Sequence, residues 1–232
     1  MYRKMKKLLI LGLLLLTYSC SSDKNIMIVS GDIDGLKKGT IYLQKQKDSI
    51  IVSIDSMLMN GQSDFSLEAK IDEPDIYFLY LDKNDGELLN DKISFFGNIG
   101  KININTRLQT FDSGYEISGS KNSELLSEYL SVKRKFNYLN LDLLEIFYKA
   151  KAEKNQKIID SVNTEIENLI KRKYLYSLNF AINNSGYEIS PYIAVSEIAD
   201  ANTDLLNKLY DTLPENIKNS KYGKILGELI KY

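Results

Sequence analysis

Between Ile26 and about Ile117 apolar and polar residues alternate over short runs, most clearly in Phe65-Ser66-Leu67-Glu68-Ala69 and Lys101-Ile102-Asn103-Ile104-Asn105. A period of two sends one set of side chains into a core and the other into water, the pattern of a half-buried strand. The runs predict strands over Ile26–Ile33, Thr40–Lys45, Ile50–Met59, Asp64–Lys70, Ile76–Asp82, Lys92–Gly97, Lys101–Thr106 and Gly114–Ser118. Between them, Asp34-Gly35, Asn60-Gly61, Asp85-Gly86 and Asn98-Ile99-Gly100 supply turn residues that tolerate positive φ. Strands at this spacing predict an antiparallel β-sandwich or jelly-roll-like domain.

After Gly119 the period changes. Leu125, Leu126, Tyr129 and Leu130, then Leu143, Leu144, Phe147 and Tyr148, recur at helical spacing, as do Ile158, Ile159, Val162, Ile166, Leu169 and Ile170. These predict amphipathic helices. Asp142 with Glu145 forms a capping-box pattern and predicts an interruption of the first helix between Asn140 and Leu144. A polar connection over Lys151–Gln156 leads to a second long helix reaching about Asn183, which Asn184-Ser185-Gly186 ends. Shorter helices follow from Ser190-Pro191, over Asp204–Leu213, and from Pro214 to Tyr232. The fold class expected is therefore α+β, with a β-sandwich domain over 26–119 and a helical domain over 120–232.

The first twenty residues have a different character. Arg3, Lys4, Lys6 and Lys7 precede an apolar run from Leu8 to Leu16, and Thr17-Tyr18-Ser19 leads to Cys20. A charged start, a short apolar core and a small residue before a cysteine fit a bacterial lipoprotein signal over 1–19, and the run is too short to span a bilayer. One departure is that Thr17 stands where such signals usually carry Leu. Cys20 is then the lipidated residue, residues 20–25 are its polar tether, and the partner implied is a membrane held through the acyl chains. In a Gram-negative envelope, Ser21 argues against retention at the inner membrane. Attachment to the outer membrane, facing the periplasm or the cell surface, is the expected location.

Composition removes much of catalytic chemistry. The 232 residues contain no histidine and only one cysteine, Cys20. Ser-His-Asp and Cys-His arrangements, His-based metal sites, disulfides and thiol exchange are thereby absent. No catalytic residue, cofactor-binding residue or metal ligand can be named, and a non-enzymatic protein without a cofactor is expected. Glycosidases work with two carboxylates alone, so that chemistry survives, but their spacing is set by the fold. Asp82-Lys83-Asn84-Asp85-Gly86-Glu87 has the composition of a calcium loop, yet its glycine comes one position early and the distal Glu is missing, so it reads as a hairpin turn. Asp32-Ile33-Asp34-Gly35 likewise reads as a turn in preference to a cation site, although alternation puts both carboxylates on one face.

Charge also excludes nucleic acid as a partner. The chain has 30 basic and 31 acidic residues, and removing the four basic residues of the signal leaves 26 against 31, a net charge of −5. Tracking a phosphate backbone needs the opposite balance. Two basic triplets, Lys133-Arg134-Lys135 and Lys171-Arg172-Lys173, read as solvated helix faces in preference to a site for an anionic ligand or headgroup. Tyr174, Tyr176, Tyr187 and Tyr192 either close a core or present an interface.

The order of parts resembles a known arrangement. Ile28-Val29-Ser30-Gly31-Asp32-Ile33, Gly39-Thr40-Ile41-Tyr42-Leu43, Tyr115-Glu116-Ile117-Ser118-Gly119-Ser120 and the two long helices resemble the N-terminal region of a family of Gram-negative envelope lipoproteins. In that family a β domain of unknown function and a helical segment precede a thioredoxin-like domain. Ser190-Pro191-Tyr192-Ile193 and Leu213-Pro214, with Ser220-Lys221-Tyr222-Gly223-Lys224, resemble the stretch leading into it. The resemblance covers about Ile26 to Tyr232. The Cys-x-x-Cys of the thioredoxin-like domain is absent from this sequence, so no catalytic residue carries over, and truncation of a longer reading frame is one explanation.

Three functions follow as expectations. The first is a non-catalytic, membrane-anchored docking or ligand-binding module whose partner is an envelope protein, thioredoxin-like or engaged in outer-membrane transport. The second is an accessory to a separately encoded thioredoxin-like oxidoreductase, and the third is glycan binding or processing through Tyr and carboxylates. Asp48-Ser49-Ile50, Asp55-Ser56-Met57, Asp160-Ser161-Val162 and Asp211-Thr212-Leu213 also resemble Asp-Ser/Thr-apolar sites that some envelope bacteria O-glycosylate.

Overall fold

A computed structural model describes residues 25–83, 86 and 91–231. The segment read as a lipoprotein signal, Cys20, and residues 84, 85 and 87 of the Asp82–Glu87 turn lie outside the described residues.

The alternating segments form two four-stranded sheets. β1 (Ile26–Asp34), β4 (Asp64–Lys70), β7 (Gly100–Arg107) and β8 (Glu116–Ser118) make one sheet in the order β4-β1-β7-β8. β2 (Lys38–Lys47), β3 (Ile50–Asn60), β5 (Asp75–Asp82) and β6 (Asp91–Gly97) make the other in the order β3-β2-β5-β6. Their inner faces meet in a core of Met27, Val29, Ile41, Leu43, Leu67, Leu79, Phe95, Ile102 and their neighbours. The sandwich is thus the one expected, with one pairing that departs from it. β1 and β7 run parallel, with Val29 opposite Ile102, while the other pairs are antiparallel. Alternation dictates which face is buried and is blind to strand direction, so this parallel pair leaves no mark in the pattern.

β2 and β3 form a hairpin around Asp48-Ser49, with Lys47 opposite Ile50 and Asp48 at φ 55°. Aspartate is one of the few residues with a side chain that enters this region at modest cost. A register shift at Leu43/Gln44 leaves Ile54 unpaired and turns the hairpin end of β3 over, which exposes Ile51 and Ile54.

The chain leaves the sandwich through Gly119. Its φ is 92°, and a Cβ there would lie 2.2 Å from the Lys101 carbonyl oxygen, so only glycine fits. Ser120 then caps α1 (Lys121–Ala152) by accepting from the Ser123 N–H. α1 is unbroken through Asn140–Leu144, against the interruption expected there. No glycine or proline stands in that stretch, its residues are mostly good helix formers, and Glu145 pairs with Lys149 one turn on. A tight turn with Lys154 at φ 54° reverses the chain into α2 (Gln156–Asn183), capped by Asn155. α3 (Ile189–Glu197), α4 (Thr203–Thr212), α5 (Glu215–Lys218) and α6 (Lys221–Leu229) complete the helical part.

A second core, from Leu125, Leu126 and Tyr129 to Leu226, holds the helices together, and two sandwich residues enter it. Phe96 of β6 and Ile76 of β5 are register partners on the outer face of their sheet, and the helices close over them. α1 also covers the exposed edges of β6 and β8, where unpaired strands would otherwise invite association. Ser123 Oγ donates to the Phe96 carbonyl oxygen at 2.6 Å, and Ser120 Oγ donates to Asn98 Oδ1 at 2.7 Å. No helix among the described residues is long and apolar enough to cross a membrane.

Candidate functional site

The junction of sandwich and helices concentrates the polar chemistry of the molecule. Asp75 opens β5, and strand alternation sends its side chain inward with Tyr77, Leu79 and Leu81. It is the one buried acidic residue among those described. Four donors meet its carboxylate. Tyr222 Oη donates to Oδ1 at 2.6 Å, the Ile76 N–H to Oδ1 at 2.9 Å, Lys221 Nζ to Oδ2 at 2.7 Å, and Lys45 Nζ lies 3.0 Å from Oδ2. Lys45 comes from β2, while Lys221 and Tyr222 come from the first turn of α6, where Ser220 caps the helix.

The electrostatics follow from these contacts. Burial pushes the Asp75 carboxyl up, but the hydrogen bonds from Lys221, Tyr222 and Lys45 outweigh it and hold the group below the usual carboxylate range. Burial pushes Lys45 down, and its contacts with Asp75 and Tyr77 more than reverse this, leaving it raised. The Tyr222 phenol is driven well up, first by burial and then by the carboxylate it serves. A carboxylate with four donors and a depressed pKa is a poor general base. Asp75 therefore acts as a staple between the two layers.

Above the staple lies a cleft of about 490 Å³. Ile76 and Phe78 form its sandwich wall, Tyr192 and Ile225 its helical wall, and Gln46 and Ser196 add hydrogen-bonding groups. Tyr192 stands edge-on to Phe96 and Tyr222, with ring centroids 5.9 and 5.0 Å away, so its orientation is fixed by packing. Burial raises its phenol, and a hydrogen bond with Ser196 works against this. A second cleft of about 270 Å³ lies between β6, the β7–β8 connection and α1, and Ser94 lines both. Both hollows combine aromatic or aliphatic walls with several polar groups held on different elements, an arrangement that can fix a ligand's orientation.

Cys20, the proposed lipidation residue, lies outside the described residues. Asp32 and Asp34 both line a third hollow, where Asp32 accepts from Ser63 Oγ and Asp34 pairs with Arg107. No group of three or more acidic or cysteine side chains among the described residues is placed to hold a metal ion. The first basic triplet is divided: Lys133 bonds Glu197 of α3, Lys133 and Arg134 line the smaller cleft, and Lys135 is exposed. Lys171 and Arg172 face solvent. Tyr176 stacks on Tyr129 at 5.6 Å and Tyr192 packs as described, so both close the helical core, whereas Tyr187 is exposed. The hydroxyl-bearing residues of the four Asp-Ser/Thr-apolar triplets, Ser49, Ser56, Ser161 and Thr212, are all exposed.

Sequence reasoning did not single out Asp75, Lys45 or Lys92. A signal existed for Asp75, which falls in phase with Tyr77, Leu79 and Leu81 and so belongs to the buried face of its strand. Its partners on α6 stand 146 and 147 residues away, and nothing local reveals them.

No curated protein matches the chain. Residues 27–126, which are the sandwich and the first turns of α1, match the family model described as a domain of unknown function, DUF4369, in agreement with the N-terminal β domain of unknown function that the sequence resemblance implied.

Proposed function

We propose that the protein is a non-catalytic lipoprotein, anchored to the outer membrane through Cys20, that docks a partner or ligand at the junction of its sandwich and helices. The observation that carries this reading is the cleft of about 490 Å³ built on a braced junction, whose buried carboxylate is already saturated with donors. Rigid aromatic walls and a few fixed polar groups suit recognition. A sequence without histidine, with Asp75 committed to a staple, supports binding in place of turnover. Two or more acyl chains on Cys20 would give a stable anchor, each buried methylene contributing about 0.8 kcal/mol.

The test uses the full-length protein in its own envelope. Wild type is expected in the outer-membrane fraction, and Cys20→Ala in the soluble periplasmic fraction at similar abundance. Crosslinking and affinity purification of the anchored protein then identify what the junction holds. A thioredoxin-like protein would make it an accessory to thiol–disulfide exchange, and a transport protein would make it a subunit of that machinery. An unchanged location for Cys20→Ala would refute the anchor.

A further inference from the structure

We propose that the smaller cleft binds a singly charged oxyanion, a carboxylate or a phosphodiester. This inference is independent of the larger cleft. Lys92 reaches the hollow from the outer face of β6, and Lys133 and Arg134 reach it from α1, so its cations come from two different elements. Among the described residues neither Lys92 nor Arg134 has an ion pair or a side-chain hydrogen bond, and both are partly buried. Lys92 Nζ instead sits 4.4 Å from the Phe78 ring centroid, which steadies the ammonium without neutralising it. Lys133 has committed one of its three donors to Glu197.

A further polar group belongs to the same hollow. Tyr115 lines it, is only 9 % exposed, and has a buried hydroxyl with no hydrogen-bond partner among the described residues. That hydroxyl is closed off from solvent, so Tyr115 shapes the wall of the hollow and the three cations carry the recognition. The charge balance sets the kind of acceptor. Lys92, Lys133 and Arg134 face Asp112 on the rim and Glu197 behind Lys133, which leaves one positive charge uncompensated. A monoanion fits that balance, and the guanidinium fork of Arg134 suits two oxygens of a carboxylate or phosphodiester.

Free small molecules and lipid headgroups both carry such groups, and separate probes tell them apart. Acetate, dimethyl phosphate, and vesicles of phosphatidylglycerol in phosphatidylcholine are titrated into the otherwise intact protein, with chloride as the ionic-strength control. Amide and side-chain NMR shifts at Lys92, Tyr115 and Arg134 provide the readout. Saturable shifts at these three residues are expected, with binding weakened at least about fivefold in Lys92→Gln and Arg134→Gln. An unchanged thermal midpoint in at least one of these two variants separates lost binding from lost folding. Response to the soluble anions alone identifies a soluble ligand, and response to the vesicles alone identifies a headgroup. Shifts matched by chloride, shifts that persist undiminished in both cationic variants, or no shift with any probe would overturn the proposal.

Discussion

Tyr222 Oη donates to Asp75 Oδ1 at 2.6 Å across 147 residues of sequence, joining the last helix to the start of a central strand. With Lys221 and Lys45 on the other oxygen, this contact makes the sandwich and the helices one mechanical unit. Asp75→Asn should cost about 2 kcal/mol in urea unfolding, because it removes the charge while leaving two ammonium groups beside the site. Both lysines are about one-third exposed and can turn to water, so the loss falls below that of a fully buried pair. Tyr222→Phe, which removes one donor, should cost about 1 kcal/mol. A loss below about 0.5 kcal/mol for Asp75→Asn would show that the staple is ornamental.

The same network sets a pH dependence. Burial raises the Asp75 carboxyl, the hydrogen bonds lower it further than burial raises it, and the folded value ends below the unfolded one. A depressed carboxylate contributes stability that is fully present above its unfolded pKa, about 4, and is lost as pH falls through the lower folded value. The stability gap between wild type and Asp75→Asn should therefore be flat above about pH 5 and shrink below about pH 4. Urea midpoints measured across this range test it, and a gap that widens on acidification would contradict the assignment.

Phe96 is fully buried, yet its side chain belongs to the helical core and not to that of its own sandwich. Phe96→Ala should cost about 3–5 kcal/mol and loosen the helices around Tyr192 and Tyr222. Near-ultraviolet circular dichroism, which here reports tyrosines and phenylalanines because tryptophan is absent, should lose intensity. Tyr148→Ala, at an exposed position on α1, is the control and should change stability by less than about 0.5 kcal/mol.

Most of the fold was legible in the sequence because burial imposes a period. All eight strands fall where alternation put them, and the two long helices follow the change to helical spacing. The capping-box signal at Asp142 and Glu145 misled because an N-terminal cap pattern has no force inside a stretch that neighbouring turns already hold helical. The parallel pairing of β1 with β7 was illegible, since it depends on how often the chain crosses between sheets. The junction was harder still. Asp75, Lys45 and Tyr222 are ordinary residues locally, and only the docking of α6 against β5 makes them a network.

Gly119 and Gly61 separate two kinds of glycine requirement. Both have positive φ, but a Cβ at Gly61 meets nothing within 4 Å, while one at Gly119 meets the Lys101 carbonyl. Gly61→Ala should cost about 1 kcal/mol from backbone strain alone, and Gly119→Ala more than about 2 kcal/mol. Chemical denaturation of both variants checks the order, and equal costs would mean that the passage out of the sandwich is less tightly packed than the contact implies.

Recognition at the sandwich–helix junction is tested most directly by a photo-crosslinking residue placed at Ile225 of the full-length protein in intact cells, with Lys157 at the far hairpin tip as the control. One reproducible adduct is expected from position 225, absent from position 157 and reduced when Ser196→Trp fills the cleft. Adducts equal at the two positions, or insensitive to the filled cleft, would contradict the account.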